Sequence, residues 1–356
     1  MNPRPLRIAQ VSPLWTRIPP VNYGGIELLL KLLVDELVER GHEVTLFATA
    51  DCQTRGSLFS VAEACLTELM ARGDAYAFEH YANAVVAEAL RRASEFDVIH
   101  YHLTPGWIPL ASLAATPSLF TLHTCAVKDD EWAFGRYPGV EVAAISRFQI
   151  AETEARLGRS FPVVYNGCDF GAFEPNFEPG RYLAFLGRMS HAKNPAGAIA
   201  IARACGLPLV LAGQPQNGEE ERYFAEEVKP HIDGERVRWL GPVNHPQKAE
   251  FLRNASALLF PIQWDEPFGL VMIEAMACGT PVVGVKRGSV GEVVSPGLTG
   301  FTGAAPGDLA DLVPRALALD RRVVRSTAEA RFGFGTMVDS YLELYRAMQP
   351  GAARRD

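Results

Sequence analysis

Residues 257–285 read ALLFPIQWDEPFGLVMIEAMACGTPVVGV. The run Ala257–Pro261 is short, apolar and without helical period, which predicts a buried strand. Pro267 suits the first turn of a helix, and Gly279 and Pro281 suit the end of one, so 269–277 reads as a helix. Pro281–Val285 is a second apolar run of strand length. Strand, helix and strand in one short stretch make a β–α–β unit, the building block of a parallel sheet.

The alternation extends outward in both directions. Tyr182–Leu186, Pro208–Ala212 and Val237–Leu240 read as strands, with helices near 195–205, 219–232, 246–254 and 307–319. In the first half Leu6–Ser12, Glu43–Ala48, Phe96–Tyr101, Leu119–Leu122, Val142–Ile145 and Pro162–Tyr165 read as strands. Ile26, Leu29, Leu30, Leu33 and Leu37 recur at helical spacing between Gly25 and Arg40, and Gly41 follows as a stop signal. Tyr81–Ala93 is another helix. The fold class is α/β, with two doubly wound sheets. The Phe-, Pro-, Glu- and Gly-rich stretch 170–180 is the expected linker, which places the domains at 1–170 and 171–335. A terminal helix near 336–348, within 336–356, is expected to pack back on the first domain.

The chain has 356 residues, a length that suits two domains. Hydrophobic residues at 48% and charged residues at 21% exclude disorder, collagen and coiled coil. No run of 18 apolar residues occurs, and residues 1–15 lack the features of a signal peptide, so a cytoplasmic protein, at most peripheral to a membrane, is expected. Cysteines 52, 65, 125, 168, 205 and 278 form no CxxC and read as reduced thiols. The net charge of −7 argues against a protein drawn to nucleic acid by general attraction. Residues 1–170 hold 14 Lys and Arg against 20 Asp and Glu, a net of −6, which leaves −1 for 171–356.

In open α/β sheets ligands bind beyond the carboxyl ends of the strands. Few polar or glycine positions follow a strand directly: Gly24-Gly25, His123, Arg188, Gln214 and Asp265-Glu266. Glu266 precedes the helix of the quoted stretch and Glu274 follows eight residues on. Two carboxylates facing one crevice suit vicinal sugar hydroxyls; the same spacing also suits a helix cap plus one solvated glutamate. The backbone N–H groups near Phe268, Gly269 and Leu270 open toward an anion or a hydroxyl. Gly187-Arg188 with Lys193, straight after a strand, can hold a diphosphate, Arg as a fork and Lys as a point charge; two solvated loop cations are the plainer alternative. Gly24-Gly25-Ile26-Glu27 opens a helix, where glycine allows a phosphate to approach or simply makes a turn. His123 ends a strand and is either a cleft residue or a structural one. His100 and His102 share a strand face, but no third metal ligand is evident. No GxxxxGK[ST] and no Asp-x-Asp occur, so neither a P-loop nor a metal-held diphosphate has support. Asn166-Gly167-Cys168-Asp169 is a turn signal.

Taken together and in this order, Tyr23-Gly24-Gly25-Ile26-Glu27, His123, Asn166-Gly167-Cys168-Asp169, Gly187-Arg188 with Lys193, and Glu266 through Glu274 resemble glycosyltransferase family 4. These are retaining enzymes of the GT-B fold that use sugar nucleotides. The E-x7-E spacing is the most specific part, and the resemblance runs over nearly the whole chain. It implies two Rossmann-like domains facing across a cleft. It implies that Arg188 and Lys193 hold the donor diphosphate, that Glu266 binds sugar hydroxyls beside the N–H groups of Phe268, Gly269 and Leu270, and that Glu274 binds the ribose diol. Gly24 and Gly25 would face the phosphates and His123 the donor sugar. Asn166, Gly187 and Gly213 would complete the donor site. The loops after Gly213 and Gly241 would border the base.

The implied activity is hexosyl transfer from a nucleoside-diphosphate sugar, most readily a UDP-sugar, to an acceptor hydroxyl. It needs no cofactor, and the family is generally metal-independent. A sugar-nucleotide epimerase of the same fold is the alternative, followed by a glycosidase and by a non-catalytic binder. The acceptor is expected at 51–80 and 103–139. The acidic first half favours a soluble or neutral acceptor over an anionic lipid.

Overall fold

Each half of the chain forms one six-stranded, all-parallel sheet, and the two sheets share one strand order. The computed structural model of the protein describes residues 4–21, 24–349 and 351. The first sheet comprises β1 (Arg7–Val11), β2 (Glu43–Ala48), β3 (Ser57–Ser60), β4 (Val98–Tyr101), β5 (Ser118–Leu122) and β6 (Glu141–Ala144), in the order β3-β2-β1-β4-β5-β6. The second comprises β7 (Tyr182–Leu186), β8 (Leu209–Ala212), β9 (Val237–Trp239), β10 (Ala255–Phe260), β11 (Val282–Val285) and β12 (Gly300–Gly303), in the order β12-β11-β10-β7-β8-β9. Each chain winds outward from its first strand to one edge, then returns and winds to the other. The strand order therefore reverses between β1 and β4 and between β7 and β10, where a doubly wound sheet opens a crevice at its carboxyl edge.

Central strands are apolar because helices cover both their faces. Val98–Tyr101, Ser118–Leu122 and Val282–Val285 are buried at every position. Two of the four edge strands, β3 and β12, escaped sequence reading for the converse reason. Ser57–Ser60 is largely exposed, and Gly300–Gly303 has a glycine at each end; β12 exists because Gly300 to Gly303 pair with Val282 to Val285. Pro162–Tyr165, expected as a strand, makes only a bridge between Ala144 and Val163. Pro162 has no N–H to give, and the chain then turns toward Asn166-Gly167.

The helices that matter below are α1 (Gly25–Glu39), α2 (Pro195–Cys205), α3 (His245–Arg253), α4 (Leu270–Ala277), α5 (Arg321–Phe332) and α6 (Phe334–Ala347). In α1 the buried stripe is Glu27, Leu29, Leu30, Leu33, Val34 and Leu37, with Ile26 only half-buried. The helix expected over 219–232 breaks up: Gly218–Tyr223 is α-helical, then a wide turn over Phe224–Val228 leads into a tight turn at Lys229–His231, where Pro230 cannot donate. Helix α5 buries a narrow stripe, Val324, Ala328 and Phe332, among its arginines. Its own buried Arg321 adds a polar tie, donating to the carbonyls of Asn176, Arg253 and Ala255 and to Thr280 Oγ1.

The chain divides into two units, Met1–Gly167 with Phe334–Asp356, and Cys168–Gly333. The terminal helix α6 thus belongs with the first sheet, burying Met337, Val338, Tyr341, Leu342 and Tyr345 there and pairing Asp339 with Arg40, the residue that ends α1. Alternation sorts the first sheet into two faces. Ala9, Val11, Ile99, Tyr101, Phe120 and Leu122 join the apolar core, where Tyr101 stacks on Phe120 at 4.6 Å. Gln10, His100 and Thr121 occupy the opposite face and are fully buried.

In the second unit the loops after β7 and β8 are clamped together. Gly187 N donates to Ala212 O (3.1 Å) and Met189 N to Gln214 O (3.3 Å). Gly213 makes this possible: its φ is +121°, and a Cβ there would lie 1.9 Å from Gly187 O. Gly213→Ala is expected to cost at least about 2 kcal/mol in urea denaturation, because backbone rather than a flexible side chain must move. A variant as stable as the parent would contradict the close approach.

Candidate functional site

In the second unit, the loop Gly187-Arg188-Met189-Ser190-His191-Ala192-Lys193-Asn194 leaves β7 and enters α2. Asn194 takes a left-handed conformation (φ 59°). Its Oδ1 accepts from Gly197 N (2.9 Å) and its Nδ2 donates to Pro261 O (2.9 Å). One buried side chain thereby ties the start of α2 to the end of β10. Gln263 N donates to Ala192 O (2.8 Å), a second tie across the same switch point. Lys193, between these ties, pairs its ammonium with the Glu266 carboxylate. The ammonium also lies 4.8 Å from the ring centre of Trp264, and Trp264 Nε1 donates to Glu266 Oε2 (3.1 Å).

Glu266 is held from the other side as well. Its carbonyl accepts from Ser289 N (2.9 Å), and Ser289 Oγ donates to Phe268 O (2.9 Å). Gly269 caps α4 with φ +85°, so Phe268, Gly269 and Leu270 lie at the helix start, where backbone N–H groups lack intrahelical acceptors. Glu274 lies within α4, buried, and pairs with Lys248 of α3. Arg188 donates from Nη1 to Glu220 Oε1 (2.9 Å), while Glu220 Oε2 accepts from Gln216 N (2.8 Å). Each cation of this unit's site therefore faces one buried carboxylate: Arg188 with Glu220, Lys193 with Glu266, Lys248 with Glu274. The group is neutral as it stands. Gly213 and Gly241 meet through Gly213 N donating to Gly241 O (2.8 Å), and Trp239 Nε1 donates to Gly213 O (2.8 Å).

Glu220, Lys248 and Trp264 were not legible as site residues. Glu220 is 32 positions from Arg188 and Lys248 is 26 from Glu274, so no local spacing links them. Trp264, two residues before Glu266, carried a signal in its mere adjacency.

In the first unit, Gly24 and Gly25 stand at the start of α1; a Cβ on Gly24 would lie 2.7 Å from Pro20 Cβ. Tyr23 of the same motif lies outside the described residues. Burial pushes the Glu27 carboxyl up. His123 follows β5, and its Nε2 sits 3.1 Å from His102 Nδ1. The ring keeps some solvent contact, yet desolvation lowers its pKa to about 4. His100 and His102 lie well below the usual imidazole value, again through burial, with repulsion from neighbouring rings adding to it. His100 and His102 bond to Thr121, Tyr345 and Gln10, which accounts for both rings without a metal. Asn166 is buried, and the next N–H, of Gly167, donates to Met337 Sδ of α6 (3.2 Å). All six cysteines carry free thiols. Among the described residues no helix is long and apolar enough to cross a membrane.

Comparison with known proteins adds the following. The family model described as Glycosyl transferases group 1 matches residues 172–331, and that described as Glycosyltransferase Family 4 matches 23–171. The D-inositol 3-phosphate glycosyltransferase of Mycobacterium tuberculosis is 27% identical over 382 aligned positions, covering 91% of this chain and 78% of that protein. A glycosyltransferase involved in avilamycin A biosynthesis has a crystal structure similar to this one, with a TM-score of 0.73 and 29% identity over 98% of this chain and 99% of the other. Anabaena HepE, crystallised with UDP and glucose, gives a TM-score of 0.72 at 20% identity, over 95% and 99%.

The buried imidazoles have a consequence for stability. An unfolded histidine titrates near 6.5 and folded His123 near 4. Below 6.5 the unfolded chain takes a proton that the folded chain refuses, so stability falls as pH drops through this window and levels off beneath it. His123 alone accounts for about 3 kcal/mol at pH 4. Urea denaturation from neutral pH down to about 4 should show this loss, and a folded His123→Gln variant should show a shallower one. Equal slopes in the two proteins would contradict the assignment.

Proposed function

The chain belongs to the family 4, group 1 glycosyltransferases of the GT-B fold, and from that premise we propose that it is a retaining hexosyltransferase. In this reading it moves a sugar from a UDP-sugar to an acceptor hydroxyl without a metal ion. The observation that carries the reading is the contact of Lys193 with Glu266 at the switch point of the second sheet, with Arg188 on the same loop. An ammonium has three donors, so Lys193 can keep Glu266 and still grip a phosphate oxygen. Arg188 has donors beyond the one it gives Glu220.

When the anomeric C–O bond breaks, the electron pair stays on the leaving diphosphate. Arg188, Lys193 and the start of α4 stabilise that charge, the most effective kind of help a transferase can give. The acceptor oxygen attacks from the face the phosphate leaves, and the departing phosphate takes the acceptor proton. That route retains configuration and needs no protein nucleophile. Glu266 is a sugar ligand in this scheme: its Oε2 already accepts from Lys193 and Trp264, which leaves Oε1 for a hydroxyl. Glu274, steadied by Lys248, takes the ribose diol. His123 contacts the donor sugar, and Gly24 and Gly25 adjoin the phosphates. HepE, solved with UDP, supports the choice of base. The acidic first half supports a soluble or neutral acceptor.

Two measurements test this reading. Lys193→Ala and Glu266→Ala should each lower transfer by about a hundredfold to a thousandfold while the protein stays folded. Full activity in folded Lys193→Ala would sink the diphosphate assignment. A thermal-shift screen should give a larger rise in Tm with UDP-sugars than with GDP- or ADP-sugars. Conversion of the sugar nucleotide with no acceptor present, followed by NMR, would mark an epimerase instead.

A further inference from the structure

The polar face of the first sheet is wired to the terminal helix. Gln10 and His100 are partners in register on β1 and β4, and His102, Thr121 and His123 continue the same face at the carboxyl edge. Their hydrogen bonds form one unbranched chain. His123 Nε2 meets His102 Nδ1 at 3.1 Å, and His102 Nε2 meets Gln10 Oε1 at 2.9 Å. Gln10 Nε2 donates to Tyr345 OH at 3.0 Å, and Tyr345 OH meets His100 Nδ1 at 2.7 Å. His100 Nε2 then meets Thr121 Oγ1 at 2.7 Å, and Thr121 Oγ1 meets Tyr341 OH at 2.9 Å. Gln10, His100, His102, Thr121, Tyr341 and Tyr345 are all buried, so an unmet polar group here would be costly.

The Gln10 amide gives the chain its direction. Oε1 only accepts, so His102 carries its proton on Nε2 and presents a lone pair at Nδ1. His123 must then donate from Nε2, which leaves the lone pair of His123 on Nδ1. On the other side Tyr345 OH accepts from Gln10 and bonds to His100 Nδ1, and the chain runs on from His100 Nε2 through Thr121 to Tyr341. Turning the Gln10 amide over reverses both bonds beyond it, because a neutral imidazole gives one proton and takes one.

We propose that Tyr345, Gln10 and His102 are positioning residues for His123, and that through them the terminal helix fixes His123 in the tautomer that presents a bare Nδ1. This rests on the reading of His123 as a residue that contacts the donor sugar. A bare Nδ1 accepts a hydrogen bond from a sugar hydroxyl and cannot donate one, so the chain also decides what His123 recognises.

The test uses the full chain with 15N-labelled histidine, the His123 signals being identified by their loss in His123→Gln. The wild-type protein should show His123 in one neutral tautomer, protonated on Nε2. Tyr345→Phe removes the oxygen that receives the Gln10 amide, so Gln10 is free to turn and His123 should redistribute between tautomers. Turnover of the donor should fall about fivefold in kcat, the worth of one hydrogen bond, with KM for the donor unchanged. An unaltered Nε2 tautomer in folded Tyr345→Phe overturns the proposal, and so does a redistributed tautomer with undiminished kcat. If Tyr345→Phe does not fold, Gln10→Met interrupts the same chain and is read in the same way. Wild-type protein that turns over no sugar nucleotide would defeat the transferase reading separately, and the spectra would still decide whether the chain sets the tautomer.

Discussion

The bond from Asn194 Nδ2 to Pro261 O joins the start of α2, reached by the loop after β7, to the end of β10; β7 and β10 are the strands between which the second sheet reverses its winding. The rest of the donor-side arrangement depends on it. A parallel sheet that winds both ways leaves two strand ends with loops leaving in opposite directions. Without a tie, Lys193 on one loop and Glu266 on the other would have no reason to meet. With it, and with Gln263 N on Ala192 O beside it, ammonium and carboxylate are brought together over Trp264.

Charge balance follows from that placement. Carboxylates as buried as Glu220, Glu266 and Glu274 need partners, and each has one cation. A nucleoside diphosphate entering such a neutral group supplies new negative charge for Arg188 and Lys193 without requiring that either abandon its carboxylate. In the proposed function the cations are already held in place for an anion, which lowers the cost of ordering them on binding. The first unit solves a different problem. It buries histidines at a carboxyl edge and keeps them neutral by desolvation, with hydrogen bonds linking each residue to the next from His123 to Tyr341.

Much of this was written in the sequence, and the parts that were not have physical reasons. Short unbroken apolar runs located the central strands because both their faces are covered, and the helix expected over 269–277 matches α4 within a residue, although Pro267 lies ahead of the Gly269 cap and not in the first turn. Strands β3 and β12 were silent because the first is largely exposed and the second has a glycine at each end, whereas the edge strands β6 and β9 were read. Arg188, Lys193, Glu266 and Glu274 could be named as candidates because they follow strands or precede and lie within one short helix. Their partners Glu220 and Lys248 were not, since a pairing across 32 or 26 positions is a product of tertiary folding alone. The histidine chain was half-visible: His100 and His102 stood out as alternating on one face, but nothing local says that Gln10 and Tyr345, 335 positions apart, would complete it.

The central claim is that a nucleoside diphosphate sits on Arg188 and Lys193 with its ribose at Glu274. A crystal structure with UDP bound tests it most directly. Diphosphate oxygens are expected within about 3 Å of the Arg188 guanidinium and of Lys193 Nζ, with the ribose diol donating to the Glu274 carboxylate. UDP bound elsewhere, or bound here with its phosphates turned away from both cations, would contradict it.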